Sequence, residues 1–243
     1  VIQLIDAAKN IEIFTDNKPI CYNTTASITA LTQDASTYTW TGPNNFSSTG
    51  ANLLINNFTN LNDGIYTITS ATQECGVATK NIVLNSEQVF ANFTSTQTGC
   101  IQDSIYFNTP ALADTRWLWN FGDGKLLDTT SSTVKPIKYG AVGNYSVTLK
   151  VISKNGCESN ITSKSIEITP KPIASFTATT NTCVNKNIVF TETSSIANGT
   201  LQKSFWNLDD GNGVINSNSF TQQITIYNNW GNRNPWLITE ASS

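Results

Sequence analysis

Five cysteines and a short acidic turn are the residues of this chain whose types and spacing could do chemistry. The 243 residues include no histidine, so the usual general base for a serine or cysteine nucleophile is missing, and so is a common zinc ligand. No two cysteines stand close enough to form the C-x-x-C knuckle of a zinc site. We therefore predict that the chain is not an enzyme and has no catalytic, cofactor-binding or metal-binding residues.

The acidic turn has three interpretations. Asp209 and Asp210 precede Gly211, and Asp123 stands in the same way before Gly124. An Asp before a Gly is first of all a turn former, whose carboxylate accepts bonds from nearby amides. The oxygen donors and glycines of residues 209–213 leave calcium as an alternative, although their spacing is not that of an EF-hand. Paired-carboxylate catalysis is the least favoured interpretation.

The composition favours strands. Asn, Thr and Ser dominate the polar positions, and apolar residues alternate in short runs such as Tyr145, Val147, Leu149 and Val151. No segment keeps a 3.6-residue period. With 13% charged residues and a net charge of -3, we expect no nucleic-acid partner. We also expect no membrane insertion by this segment, because no apolar run approaches the length of a spanning helix.

An internal repeat divides the chain. Residues 90–94 match residues 173–177, and the matching continues through a strand that ends in a turn, 119–124 against 206–211. Further along, Tyr139, Gly143 and Leu149 match Tyr227, Gly231 and Leu237. The second copy departs from the first at Asp209, which replaces Gly122, and at Pro235, which predicts an edge strand or a frayed end.

The repeated residues resemble a known family. Trp119-Asn120-Phe121-Gly122-Asp123-Gly124, followed by the Tyr-x-x-x-Gly-x-Tyr-x-Val-x-Leu pattern of residues 139–149, is similar to the PKD (polycystic kidney disease) repeat. The resemblance implies an immunoglobulin-like β-sandwich that serves as a spacer or interaction module in extracellular proteins, with no catalytic residues.

The segment before the repeat has its own signature. Cys21, Trp40, Asp63-Gly64-Ile65-Tyr66 and Cys75 follow one another in an order typical of sandwich cores. The phrase at residues 40–46 resembles bacterial immunoglobulin-like domains that accompany PKD repeats in large adhesins of gliding bacteria. We therefore predict an all-β chain of three tandem immunoglobulin-like sandwiches: residues 1–86, residues 87–170 and a degenerate, C-terminally truncated PKD-like domain at 171–243. Residues 1–7 have an alternative interpretation as the end strand of a preceding domain.

The cysteines are predicted to pair within domains. Cys21 pairs with Cys75 and Cys100 with Cys157, which leaves Cys183 unpaired because the equivalent of Cys157 would fall beyond residue 243. Such bridges indicate an oxidising, extracellular compartment. The chain begins at Val1 and contains no Met, so we expect that it either starts after processing or lies inside a longer protein, and we favour the second.

The tryptophans are predicted to divide into core and surface residues. Trp119 and Trp206 recur at the same place in the repeat and should be buried, whereas Trp117, Trp230 and Trp236 are the candidates for exposure. Trp117, however, shares strand parity with Trp119, so both side chains could point the same way.

The functional expectation is a non-catalytic segment of a large exported cell-surface adhesin or filament, in which the domains act as spacer and interaction modules in attachment or gliding. Its partners would be an unknown glycan or protein ligand, or neighbouring copies of itself. The alternatives are a polymer-binding accessory region of a secreted hydrolase and a self-assembling surface fibre.

Overall fold

The fold was analysed in a computed structural model, which describes residues 11–15, 18–32, 37–72, 76–130, 136–179, 183–197, 199–218 and 222–241. These residues are almost entirely strands and loops, with two short 3-10 turns at Pro43–Asn45 and Asn60–Asn62. Their sheets form three successive β-sandwiches, which confirms the predicted fold class. The exact boundaries at 86/87 and 170/171 stay a prediction. In the described ranges, no helix has the length and apolar character needed to cross a membrane.

The first sandwich packs the sheet β1-β3-β6 against the sheet β5-β4-β7-β8, with β2 and β9 as a separate parallel pair. Residues 26, 28 and 30 of β3 are buried and alternate with exposed ones, as expected for a strand with one face in the core. Trp40 and Ile68 are fully buried between the sheets. The strands are β1 (Glu12–Phe14), β2 (Ile20–Cys21), β3 (Ala26–Leu31), β4 (Thr37–Gly42), β5 (Phe46–Thr49), β6 (Asn52–Ile55), β7 (Gly64–Thr72), β8 (Gly76–Leu84) and β9 (Ser86–Glu87).

The second sandwich combines the five-stranded sheet β11-β16-β15-β13-β14 with the pair β10-β12. Trp119 of β13 lies opposite Leu149 of β15, and β11 runs parallel to β16. Buried residues alternate along β15, as its sequence predicts. The strands are β10 (Thr94–Ser95), β11 (Thr98–Cys100), β12 (Phe107–Asn108), β13 (Arg116–Asn120), β14 (Leu126–Thr129), β15 (Gly143–Ile152) and β16 (Thr162–Thr169).

The third sandwich repeats this plan with fewer strands. Its two sheets have the orders β17-β18-β21 and β20-β19-β22, and Trp206 of β19 lies opposite Leu237 of β22, just as Trp119 faces Leu149. The strands are β17 (Phe176–Ala178), β18 (Asn187–Glu192), β19 (Leu201–Asn207), β20 (Val214–Ser217), β21 (Gln222–Ile226) and β22 (Trp236–Ala241).

The repeat seen in the sequence is also present in the packing of the two cores. In the second sandwich the ring of Trp119 lies 5.1 Å from that of Phe93 and 5.8 Å from that of Phe107, measured between ring centroids. In the third, the ring of Trp206 lies 5.3 Å from Phe176 and 6.3 Å from Phe190. The three matched pairs of aromatic residues therefore form the same cluster twice.

The third sandwich is the more open copy. Its core cluster contains three buried side chains among the described residues, against twelve in the second. In the second sandwich Ile166 and Ile168 of β16 belong to the same buried cluster as Ile105. The described part of the third sandwich has no strand in the position of β16, and Ile188, the match of Ile105, is only half-buried. β22 starts directly after Pro235 and, among the described strands, pairs with β19 alone.

Candidate functional site

The acidic turn of the third sandwich is held together by donors of the protein itself. Asp209 accepts a hydrogen bond from the Asn234 amide at 3.0 Å. Asp210 accepts from the Asn212 amide at 3.0 Å and from the Thr225 hydroxyl at 2.8 Å. These bonds, with the Asn212 amide first, hold the pKa of Asp210 below its ordinary value even though burial acts in the opposite direction.

The matching turn of the second sandwich has the same construction. The Asn120 side chain accepts from the Gly122 amide at 2.9 Å, as Asn207 accepts from the Asp209 amide at 2.8 Å. Asp123 accepts from the Lys125 amide at 3.1 Å. The described residues contain no group of three or more Cys, Asp or Glu side chains that could hold a metal ion. The contacts support the interpretation of these aspartates as turn formers.

The tryptophans divide into core and surface almost as predicted. Trp119 and Trp206 are buried, and Trp230 and Trp236 are 92% and 41% exposed. Trp117 is only 1% exposed, so its placement among the surface candidates is wrong. It lies two residues before Trp119 on β13 and therefore shares its inward face.

A groove of about 610 Å³ lies beside Trp230 in the third sandwich. It is lined by Trp230 together with Cys183, Tyr227, Asn229, Arg233 and Pro235, among others. The Arg233 guanidinium stacks 4.7 Å from the Tyr227 ring centroid and donates to the Asn229 carbonyl at 3.2 Å. An exposed indole, a cation and amide groups on one surface make this groove a candidate interaction site.

The cysteine pairing differs from the one predicted. A disulfide joins Cys21 to Cys157, 136 positions apart, so the predicted Cys21–Cys75 and Cys100–Cys157 bridges are both wrong in this structure. Cys100 is a free, half-buried thiol. Cys183 is free and exposed, in agreement with its prediction as unpaired. Cys75 lies outside the described residues.

The strands explain why Cys100 and Cys157 cannot meet. Cys100 pairs with Thr169, at the last residue of β16, whereas Cys157 precedes the first. The eight residues of β16 span about 25 Å, far beyond the 7 Å that a disulfide allows between Cα atoms.

A similar separation applies in the first sandwich. Cys21 of β2 pairs with Glu87, just beyond Leu84 at the end of β8. Gly76, the described residue next to Cys75, starts β8 at its opposite end, and this strand has nine residues. Nine residues of strand span about 30 Å. Because Gly76 lies at the far end of β8 from Cys21, the structure favours a partner for Cys21 outside the first sandwich.

The junction between the first two sandwiches supplies that partner. β2 runs parallel to β9, and the Ile20 and Tyr22 amides donate to the Asn85 and Glu87 carbonyls at 2.8 and 2.9 Å. From the other side, Asn155 donates its side-chain amide to the Glu87 carboxylate at 2.9 Å. Asn155 and Cys157 lie in the connection from β15 to β16, which thus contacts the first sandwich by both a hydrogen bond and a covalent bond.

Glu87 and Asn155 were not predicted from the sequence as functional residues. The one signal that could have pointed to the junction is Asn155-Gly156-Cys157. An Asn-Gly pair predicts a tight turn between strands, so the cysteine that follows lies at the end of its sandwich instead of between its sheets.

The comparisons with known proteins identify the middle of the chain. Residues 90–170 match the family model described as PKD domain. This segment is a PKD domain. The PKD domain includes the aromatic cluster of Phe93, Phe107 and Trp119 as well as Cys157. A comparison of the sequence with curated proteins gives no match.

Several solved structures are similar to the chain as a whole. The three N-terminal domains of the bacteriophage RB49 Highly Immunogenic Outer Capsid protein (Hoc) share 17% identity at a TM-score of 0.44, over 85% of this chain and 78% of that one. The chicken CNTN1 FN1-FN3 domains share 10% identity at a TM-score of 0.36, over 96% of this chain and 92% of that one. The PKD domain, the sandwiches that precede and follow it in this chain and the disulfide make the chain a modular region of extracellular type.

Proposed function

We propose that the chain is a non-catalytic segment of a large exported cell-surface adhesin or filament, where its domains act as spacers and interaction modules in attachment or gliding. The observation that carries this proposal is the covalent junction. Three sandwiches follow one another along the chain, and the Cys21–Cys157 bridge ties the first to the PKD domain. A spacer must hold its domains in fixed relative positions, and a covalent bond between neighbouring domains serves that purpose.

The third sandwich supplies the candidate interaction surface of the proposed adhesin. Trp230 is 92% exposed, although its match in the PKD domain is Val142. Tryptophan offers a large, rigid contact area at low entropic cost. The Asn229 and Arg233 side chains beside it add hydrogen-bond donors. A glycan or a polar protein surface is the class of ligand that such a mixture favours.

The proposal is tested by an immunoblot of the surface and medium fractions of the source cells, with antiserum raised against this segment and without reductant. We expect a very large, surface-attached band. A band of ordinary enzyme size in the medium would contradict the adhesin. It would favour the rival proposal, a polymer-binding accessory region of a secreted hydrolase, and that band would then be assayed for polymer hydrolysis.

A self-assembling surface fibre is a second candidate, favoured by the edge strand β22. One edge of β22 pairs with β19, and no other described strand pairs with it. An unpaired edge can accept a strand from a neighbouring copy. Pro235, directly before β22, opposes such pairing because it has no amide hydrogen to donate.

Sedimentation velocity over a range of protein concentrations tests the fibre. Growth of large species with concentration would support it, and substitution of Thr239 on β22 by proline should then suppress that growth. A sedimentation coefficient that stays constant with concentration would contradict it.

A further inference from the structure

We propose that the Cys21–Cys157 bridge makes the first two sandwiches an inextensible segment, which transmits tension along the chain without unravelling either sandwich. The inference concerns mechanics and holds whichever ligand the proposed adhesin binds. It follows from where the bridge lies between the two ends of the chain, and from which strands lie before and after it.

The bridge encloses nearly all of both sandwiches. Its two cysteines are 136 positions apart, so every residue from Tyr22 to Gly156 belongs to a covalently closed loop. The loop contains Trp40 and Ile68 of the first core and Trp119 and Leu149 of the second. A pull on the two ends of the chain passes through the disulfide, so the covalent path bypasses this loop.

The segments that remain in the path are already extended. Before the bridge, the described path includes β1 and β2, and β2 ends at Cys21 itself. After the bridge, the chain enters β16, which runs straight from Thr162 to Thr169. Strands are close to the maximum length of the backbone. Tension therefore stretches these strands very little before covalent bonds carry it.

The flanking strands are also held in place along their lengths. β16 pairs with β15 on one side and with β11 on the other. On the N-terminal side, Ile11 is buried, and its carbonyl accepts a hydrogen bond from the Lys80 ammonium at 2.7 Å. The path thus includes Ile11 of the first core and Ile166 and Ile168 of the second, and the packing of these residues holds it in place.

The third sandwich is different because no bridge encloses it in the described structure. Cys183, the match of Cys100, is a free thiol, and the core cluster of this sandwich is the smallest of the three. Under tension we expect the third sandwich to extend and the first two to keep their length.

Single-molecule force spectroscopy on the whole chain, pulled from residues 1 and 243, tests the inference. Cys21→Ser and Cys157→Ser should each extend further than the wild-type protein by about 450 to 490 Å, the contour length of 136 residues at 3.3 to 3.6 Å each. Cys100→Ser is the matched control, because it removes a thiol of the same sandwich without opening the bridge. It should extend as the wild type does.

Two results would overturn the inference. One is a wild-type protein that already releases the full length of both sandwiches. The other is a long extension after Cys75→Ser or Cys100→Ser, since that would place the bridges within single domains. Both outcomes concern only the bridge. If either result were found together with a surface-attached immunoblot band, the proposed adhesin function would still hold. If the predicted extensions were found together with an immunoblot band in the medium, only the adhesin function would be contradicted.

Discussion

The hydroxyl of Tyr139 joins two distant parts of the PKD domain core. It donates to the Phe121 carbonyl at 3.0 Å, and Tyr227 makes the same bond to the Leu208 carbonyl in the third sandwich. Burial, followed by the nearby Asp123 carboxylate and Tyr145, raises the pKa of Tyr139 from 10.0 to about 12. The folded protein therefore holds this proton more tightly than the unfolded chain does.

This shift predicts a loss of stability in alkali. Below pH 10 both states keep the proton, and the contribution of Tyr139 to folding is complete. Between pH 10 and about 12 the unfolded chain loses the proton first, so the free energy of unfolding of the PKD domain should fall. Urea denaturation at a series of pH values measures it.

The control for the alkaline prediction is a pair of phenylalanine variants. Tyr139→Phe should be less stable at neutral pH by about 1 to 3 kcal/mol, because it leaves the buried Phe121 carbonyl without its donor, and it should lose the decline above pH 10. Tyr106→Phe changes an exposed ring and should keep that decline. Equal pH dependence in all three proteins would contradict the assignment to Tyr139.

Side chains with a local role could be predicted from the sequence, and side chains that act between sandwiches could not. Asp123 and Asp210 accept hydrogen bonds from backbone amides two residues away, so their turns can be predicted from a short stretch of sequence. Cys157 reaches Cys21 across 136 positions. Nothing within either local sequence distinguishes that partner from a nearer cysteine.

At the scale of the strands, the turn after β13 depends on the absence of a side chain. Gly122 has a φ of +75°, and a Cβ there would lie 2.9 Å from the backbone oxygen of Ser146. Gly124 has a similar φ of +85°, but a Cβ there would meet nothing within 4 Å. The two glycines differ in their surroundings and hardly at all in backbone conformation.

Alanine at these two glycines separates the steric effect from the conformational one. Gly124→Ala should cost about 1 kcal/mol for the left-handed backbone alone. Gly122→Ala should cost about 2 kcal/mol more, because the Ser146 backbone must move. Thermal unfolding of the two variants measures the difference, and equal losses would contradict the clash.

The third sandwich has a side chain at the position that matches Gly122. Asp209 replaces the glycine with a φ of +55°, and its carboxylate accepts from Asn234, the match of Ser146. The sequence alignment predicted both strands and the turn correctly, since periodicity and Asp-Gly pairs are local signals. This contact could not be predicted, because it depends on how closely Asn234, which lies just before β22, approaches the turn.

At the scale of the whole molecule, the three sandwiches should differ in their local stability. Among the described residues the third has the smallest core, and its β22 pairs with β19 alone, whereas β15 of the PKD domain is paired on both sides. Hydrogen exchange should therefore be faster at the Leu237 amide than at the Leu149 amide. Mass spectrometry of exchanged peptides from β22 and β15 measures this, and equal protection would contradict the difference.

The series of three sandwiches could be predicted from the alternation of apolar and polar residues, the turn residues and the internal repeat, which are all properties of the sequence. The junction could not be predicted in this way, because it consists of a two-residue parallel strand pair, one hydrogen bond from the Asn155 side chain and one disulfide. Each of these contacts involves too few residues to produce a periodic pattern in the sequence. The arrangement of domains could be predicted, and the bond between them required the structure.

The long separation of the bridged cysteines also constrains how the protein is made. Cys21 is synthesised before Cys75 and Cys100, and its partner Cys157 comes after both. An emerging chain therefore meets two unsuitable partners before the correct one, and early mispairing must be undone by thiol exchange. The correct bond closes only when β9 and the β15–β16 connection have come together. A molecule that carries this bond has therefore passed through a state in which both sandwiches were in contact at the junction.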